Sequence, residues 1–345
     1  MQRKELLAIG ILVTLVFCFL ITPAYSGENV IKLRMAFQDP ENCWEAKHSV
    51  KPWVEKVEKA TKGRVAIEVY YANTLSKGPS NWEAAKTGLA DIAWAFHGYW
   101  PGMTPLADVV TLPFLPFRNG EHASASLWQL YEKYPSLANQ FNQNKVLFLY
   151  TTSPYFVINS KREIKTMNDL KGLKIRVPGG PPTESLKLLG ATPVSMPFSD
   201  TYVNLEKKVI DGMGTCFNGM IAFKLWEVVK FYTYAPLYVS YFSLAMNWNT
   251  WNRLPADVQK QIESVSGLVA AKSWGKSYDL ADKEGPGMVK SSNHEMVEYT
   301  VGQKEVAKWK ETAQPLYRKW LDDNKAFPDA QKILDTALKL AEGTK

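Results

Sequence analysis

Leu173-Lys174-Ile175-Arg176-Val177, then Pro178-Gly179-Gly180-Pro181-Pro182, then Thr183-Glu184-Ser185-Leu186-Lys187-Leu188-Leu189 is the stretch on which the fold turns. Its first part reads as an apolar strand, its second as a Pro/Gly turn and its third as a helix. A short strand near Pro193–Met196, a helix at Ser199–Lys208 and a strand at Gly212–Thr215 follow. Strands that alternate with helices build a parallel sheet covered by helical layers, which places the region in the α/β class.

The same alternation opens the chain. Val30–Phe37 reads as a strand with Ile31, Leu33 and Met35 on one face, and Glu41–Thr61 as a helix whose buried stripe is Trp53, Val54 and Val57. A second strand is expected at Val65–Tyr71, a helix at Asn81–Thr87 ended by Gly88, and a third strand at Ile92–Phe96. Trp100–Arg118, with four prolines, is a packed irregular crossover. A helix near His122–Tyr134 leads to strands at Val146–Tyr150 and Tyr155–Ile158. Beyond the second set come a helix at Met220–Lys230, a strand-like run at Ser240–Asn247 and almost continuous helix from Pro255. Two such sets without a flexible linker imply two lobes that share crossing strands. The ligand site of that arrangement is the cleft beyond the carboxyl ends of the strands, and the lobes can close on it by hinge motion.

With 46% hydrophobic and 22% charged positions, wholesale disorder is excluded. The net charge is +7, but Glu41, Glu45, Glu55 and Glu58 are mixed among the lysines and no five like charges run together. The basic balance therefore reads as a solvated surface and not as a nucleic-acid patch. Arg3 and Lys4 precede the apolar run Leu6–Ile21, Pro23 breaks it, and Ala24-Tyr25-Ser26 offers small residues at a cleavage site. Residues 1–26 are expected to be a secretory signal peptide cut after Ser26. The run is shorter than the ~20 residues needed to span a bilayer, and Cys18 lacks the small residues that precede a lipoprotein site. Its removal leaves Cys43 and Cys216, which an oxidising compartment would let pair if they met.

Enzyme signatures are missing. His48, His97, His122 and His294 are scattered without a metal-ligand spacing, and no G-x-S-x-G elbow occurs. The run Pro178–Pro182 looks like a phosphate loop but lacks its lysine and hydroxyl. Neither metal nor cofactor is expected. Arg176 carries the one arrangement with chemical meaning. It stands near the end of a strand, just before a turn and a new helix, where free helix N–H groups and a two-pronged guanidinium can both hold an anion. The bland reading is an arginine paired with a structural acid.

Further motifs extend the pattern: Met167-Asn168-Asp169-Leu170-Lys171-Gly172 before Leu173, Leu189-Gly190-Ala191-Thr192-Pro193-Val194-Ser195-Met196-Pro197-Phe198-Ser199-Asp200-Thr201-Tyr202, Val209-Ile210-Asp211-Gly212, Lys62-Gly63-Arg64-Val65 and Trp251-Asn252-Arg253-Leu254-Pro255. Over nearly the whole mature chain the sequence resembles the solute-binding subunits of tripartite ATP-independent periplasmic (TRAP) transporters, of the DctP family. The resemblance implies a two-lobe periplasmic binding protein of type II-like α/β fold, with mixed sheets, connecting strands, a long helix and a ligand cleft between the lobes. It implies residues 27–153 plus 241–280 for lobe I and 154–240 plus 281–345 for lobe II. Arg176, following D-L-K-G-L-K, matches the family's ligand arginine.

Departures narrow the ligand. Asp211-Gly212-Met213-Gly214 leads to Thr215 where the family often has Asn, with Cys216 where Pro is usual. Tyr155-Phe156 stands where some relatives of polar-acid specificity carry a second arginine. Phe96, with His97, Tyr99 and Trp100 beyond it, matches an acidic pocket position, and Phe198 matches a pocket aromatic. Gln38 and Tyr241 complete the residues expected around the ligand. Exchanging charge for rings removes partners for a second carboxylate. An unpartnered buried polar group costs ~1–3 kcal/mol, while apolar burial gains ~25 cal/mol per Å². A monocarboxylate with an apolar or aromatic body is therefore expected, with a C4-dicarboxylate or sugar acid as the alternative. The implied partners are the small and large integral membrane subunits of a transporter, with the chain itself a periplasmic monomer. An exported enzyme acting on an organic acid and a receptor-linked sensor are the readings of other classes.

Overall fold

The computed structural model describes residues 30–343; the expected signal peptide and Cys18 lie outside them. Eleven strands form two sheets. In the first, β1 (Ile31–Ala36), β2 (Val65–Tyr70), β3 (Ile92–Phe96), β4 (Lys145–Thr151) and β10 (Tyr241–Met246) take the order β2-β1-β3-β10-β4. In the second, β5 (Phe156–Asn159), β6 (Lys174–Val177), β7 (Thr192–Ser195), β8 (Gly212–Thr215), β9 (Phe231–Tyr234) and β11 (Val297–Thr300) take the order β11-β9-β5-β8-β6-β7. The βα sets supply the parallel pairs β1–β2, β1–β3, β6–β7 and β6–β8, as their crossover helices require. Both sheets are mixed because β10 runs antiparallel to β3 and β4, and β5 antiparallel to β8 and β9.

The two lobes, each with its own sheet, are joined at the strands that change sheet. Between β4 and β5, and between β9 and β10, the chain crosses from one lobe to the other, and the two crossings pair with each other. Thr152 N donates to Ser240 O (2.9 Å), Tyr155 N to Tyr238 O (2.8 Å) and Leu237 N to Tyr155 O (3.1 Å).

A third connection is the 25-residue helix Gly267–Ser291. Its Asp279 accepts Glu121 N (3.0 Å) at the start of the helix Gly120–Lys133, and its Asp282 accepts Phe217 N (3.0 Å) at the start of Phe217–Ala222. Three residues apart on a helix means one face. A single helix thus offers carboxylates to the positive ends of one helix in each lobe.

The differences from the sequence reading have local causes. β11 interrupts the helix expected throughout the region after Pro255. It is a four-residue edge strand with half its residues exposed, too short for its alternation to register. β9 falls in the unassigned stretch between the helix expected at Met220–Lys230 and the strand-like run at Ser240–Asn247. That helix stops at Ala222, and Lys224 turns left-handed (φ 49°). The C-terminal segment touches both lobes, where the sequence reading assigned 281–345 to one. Tyr134 OH donates to Lys332 O (3.1 Å), Trp320 Nε1 to Pro105 O (2.9 Å), and Met167 N to Glu305 Oε1 (3.0 Å).

The long helix approaches Gly120–Lys133 so closely that a Cβ on Gly275 would stand 2.3 Å from Gly120 O and 2.4 Å from Ser124 Oγ. Glycine in a helix interior normally costs about 1 kcal/mol relative to alanine, so only packing explains it. Gly275→Val is expected to destabilise the protein by ~1–3 kcal/mol, read as a lower midpoint in urea denaturation. An unchanged midpoint would mean the helices can separate without cost.

Candidate functional site

Arg176 lies on β6 between β7 and β8, opposite Val194 and Met213. The residue is 0% exposed. Nε and Nη2 both donate to Met196 O (3.1 and 2.9 Å), and the guanidinium lies 5.1 Å from the Phe198 ring centroid. Nη1 is buried with no partner, and no salt bridge to a carboxylate engages Arg176 among the described residues. Burial pulls the guanidinium pKa down, opposed by Tyr99, Tyr155 and Tyr238 around it. The paired structural acid of the bland reading is not there.

Between the lobes is a narrow cavity. Of the residues expected around a ligand, Gln38, Phe96, Tyr155, Phe198 and Cys216 line it. Arg176 is one side chain behind the wall, against Phe198. Thr215 is buried beneath the wall. Its Oγ1 donates to Cys216 O (3.2 Å) and would stand 2.8 Å from a Cβ on Gly219, which does line the cavity. Tyr99 ties the two lobes together: its hydroxyl accepts Phe198 N (3.1 Å) and donates to Gln38 Oε1 (2.7 Å), and its ring meets Phe96 edge-on at 4.8 Å.

Other expected residues lie elsewhere. Phe156 begins β5 pointing into the core of the second lobe, with its ring centroid 5.0 Å from that of Phe217 and 5.1 Å from that of Tyr234. Alternation along the strand explains it, because Tyr155 takes the cavity side and the next residue must take the other. Tyr241 lines a neighbouring recess, bonded to Thr104 and Asp108 (2.7 and 2.8 Å) and stacked on His97. The helix after the Pro/Gly turn brings no free donors. Pro181 and Pro182 have no N–H, and Thr183 N is bonded to Gly180 O (3.0 Å). Cys43 and Cys216 are both buried free thiols, held above their ordinary pKa chiefly by burial.

The sequence reading missed the acids. Glu45, counted among surface charges, is 1% exposed and lines the cavity with Asp39, Trp94, Asn218, Phe242 and Tyr278. Extending the buried face Trp53, Val50, Ser49 and Ala46 back by helical spacing reaches Glu45, so the signal was available. Its carboxylate accepts Trp94 Nε1 (3.2 Å), Tyr278 OH (2.8 Å) and a short bond from Tyr150 OH.

Two α/β lobes, paired crossing segments and an unpaired buried cation beside an interlobe cavity define a solute-binding protein. The chain belongs to the DctP family, bacterial extracellular solute-binding protein, family 7, whose model matches residues 41–323. A TRAP solute-binding protein from Rhodoferax ferrireducens T118, solved with copurified benzoate, is similar in structure with a TM-score of 0.86 and 30% identity, over 91% of this chain and 98% of that one. One from Bordetella bronchiseptica, with bound (R)- and (S)-mandelate, has a TM-score of 0.84 and 25% identity over 91% and 99%. The outer membrane transporter protein TsaT of Comamonas testosteroni is 29% identical over 263 residues, 75% of this chain and 77% of its own length.

Burial, reinforced by Asp39, raises the Glu45 pKa from 4.5 to about 7. Between these values the folded state holds the proton more tightly than the unfolded state. The contribution of this group to stability therefore falls as pH rises through that window. Stability of the wild type relative to Glu45→Gln, measured by denaturant titration, should decline from pH 4.5 to 7.5 and level off above. A difference independent of pH would contradict the burial argument.

Proposed function

We propose that this protein captures a small monocarboxylate with an aromatic or apolar body in the periplasm and delivers it to the two integral membrane subunits of a TRAP transporter. The single observation that carries the reading is the Arg176 guanidinium, wholly buried beside the cavity with Nη1 unpartnered and no carboxylate of its own. An unpaired buried cation is costly, and a ligand carboxylate is the missing partner. Nη1 takes up one carboxylate oxygen, and Phe198 packs on the ligand body. Phe242, stacked on Phe96 at 4.8 Å and tilted against Trp94 at 5.1 Å, supplies with them an apolar wall. Benzoate and mandelate, named with two similar structures, are ligands of this chemistry.

In this reading the chain works as an exported monomer and binds without transforming its ligand. The crossing segments are the hinge, and the Tyr99–Phe198 bond forms as the lobes close.

Calorimetric titration with benzoate tests the anchor. Arg176→Ala should weaken binding by at least ~30-fold, as expected for truncating a buried charge-assisted pair, without altering the circular dichroism spectrum. Recovery of benzoate unchanged after incubation checks that no reaction occurs. Unaltered affinity in the variant, or tight succinate binding with no response to aromatic monocarboxylates, would reject the assignment.

A further inference from the structure

The cavity has a second polar end. Asp39 is 7% exposed and lines the cavity, yet its carboxylate has one hydrogen bond, from Gln38 Nε2 to Oδ1 (3.1 Å). No salt bridge involves Asp39 or Glu45 among the described residues. Glu45 is satisfied by its three donors, so Asp39 is the acid with capacity left. In the same wall, from the other lobe, Asn218 is 2% exposed and its Nδ2 has no partner. A buried carboxylate with a single hydrogen bond and a buried amide with an unpartnered Nδ2, both facing one cavity, have capacity left for a ligand.

A chain of contacts separates this end from the guanidinium. Arg176 lies over Phe198, Phe198 N donates to Tyr99 OH, Tyr99 OH donates to Gln38 Oε1, and Gln38 Nε2 donates to Asp39. The cation and the acid therefore stand at the two ends of this relay, with Phe198, Tyr99 and Gln38 between them. A Cβ on Gly78 would stand 1.9 Å from Gln38 Oε1, so the glycine lets the Gln38 amide lie where it orients both neighbours.

Resting on the monocarboxylate reading above, we infer that the ligand carries a hydrogen-bond donor, a hydroxyl or an ammonium, distal to its carboxylate, that docks on Asp39 with the Asn218 amide beside it. A second carboxylate at that end is excluded by repulsion from Asp39 and Glu45. A bare ring would leave Asp39 desolvated with the Gln38 amide as its one partner.

The test is calorimetric titration of the full-length mature chain at pH 7.5 with benzoate, 3- and 4-hydroxybenzoate, and 3- and 4-(aminomethyl)benzoate. At least one donor-bearing probe should bind about tenfold or more tighter than benzoate, and this ratio should collapse toward one in Asp39→Asn. The hydroxyl and ammonium arms identify which donor it is. Tight benzoate binding with no gain from any donor, or a gain that survives in Asp39→Asn, overturns the inference and leaves the monocarboxylate reading standing. Silence of every probe in the wild type overturns both. The wild-type comparison needs no substitution, so misfolding of the variant does not obscure the outcome.

Discussion

Everything in the cleft depends on a guanidinium held out of water without a counter-ion. The effective cost of such burial is several kcal/mol, and the protein meets only part of it. The Met196 carbonyl takes two of the N–H groups and the Phe198 ring supplies a negative face. Three tyrosines surround the charge, Tyr238 with a buried hydroxyl that has no partner. The N–H groups of Nη1 are left over. In the proposed function a ligand carboxylate completes that charge.

The scaffold makes that site sensitive to the relation between lobes. Arg176 and Phe198 belong to one lobe, Gln38 and Tyr99 to the other, and the Phe198 N–H to Tyr99 bond spans them. The connections that must bend are few. Two crossing segments bond to each other, and one long helix caps a helix in each lobe through Asp279 and Asp282. Rotation about such paired segments preserves both sheets, because the strand ladders lie on either side of the bend.

Specificity follows from what the walls refuse. Stacked aromatic rings offer no partners to a tail carrying several hydroxyls, and the buried acids repel a second carboxylate. The same acids make the far end of the cavity polar, which the ring content by itself concealed. Phe156 shows the opposite case: an aromatic residue beside the site in sequence that serves the core of its lobe.

Local chemistry in the sequence determined the strand–turn–helix around Arg176 and the two βα sets. Those features follow from apolar periodicity and from Pro/Gly punctuation, which act between near neighbours. Only the tertiary structure decided which side of β5 faced the cavity and that β9 and β11 extend the second sheet. It also decided that Asp39 lies inside and which side chains pack over Glu45. The reason is physical: burial of a charge is set by what packs over it from distant segments, here Trp94, Tyr150 and Tyr278 around Glu45. No local pattern carries that information.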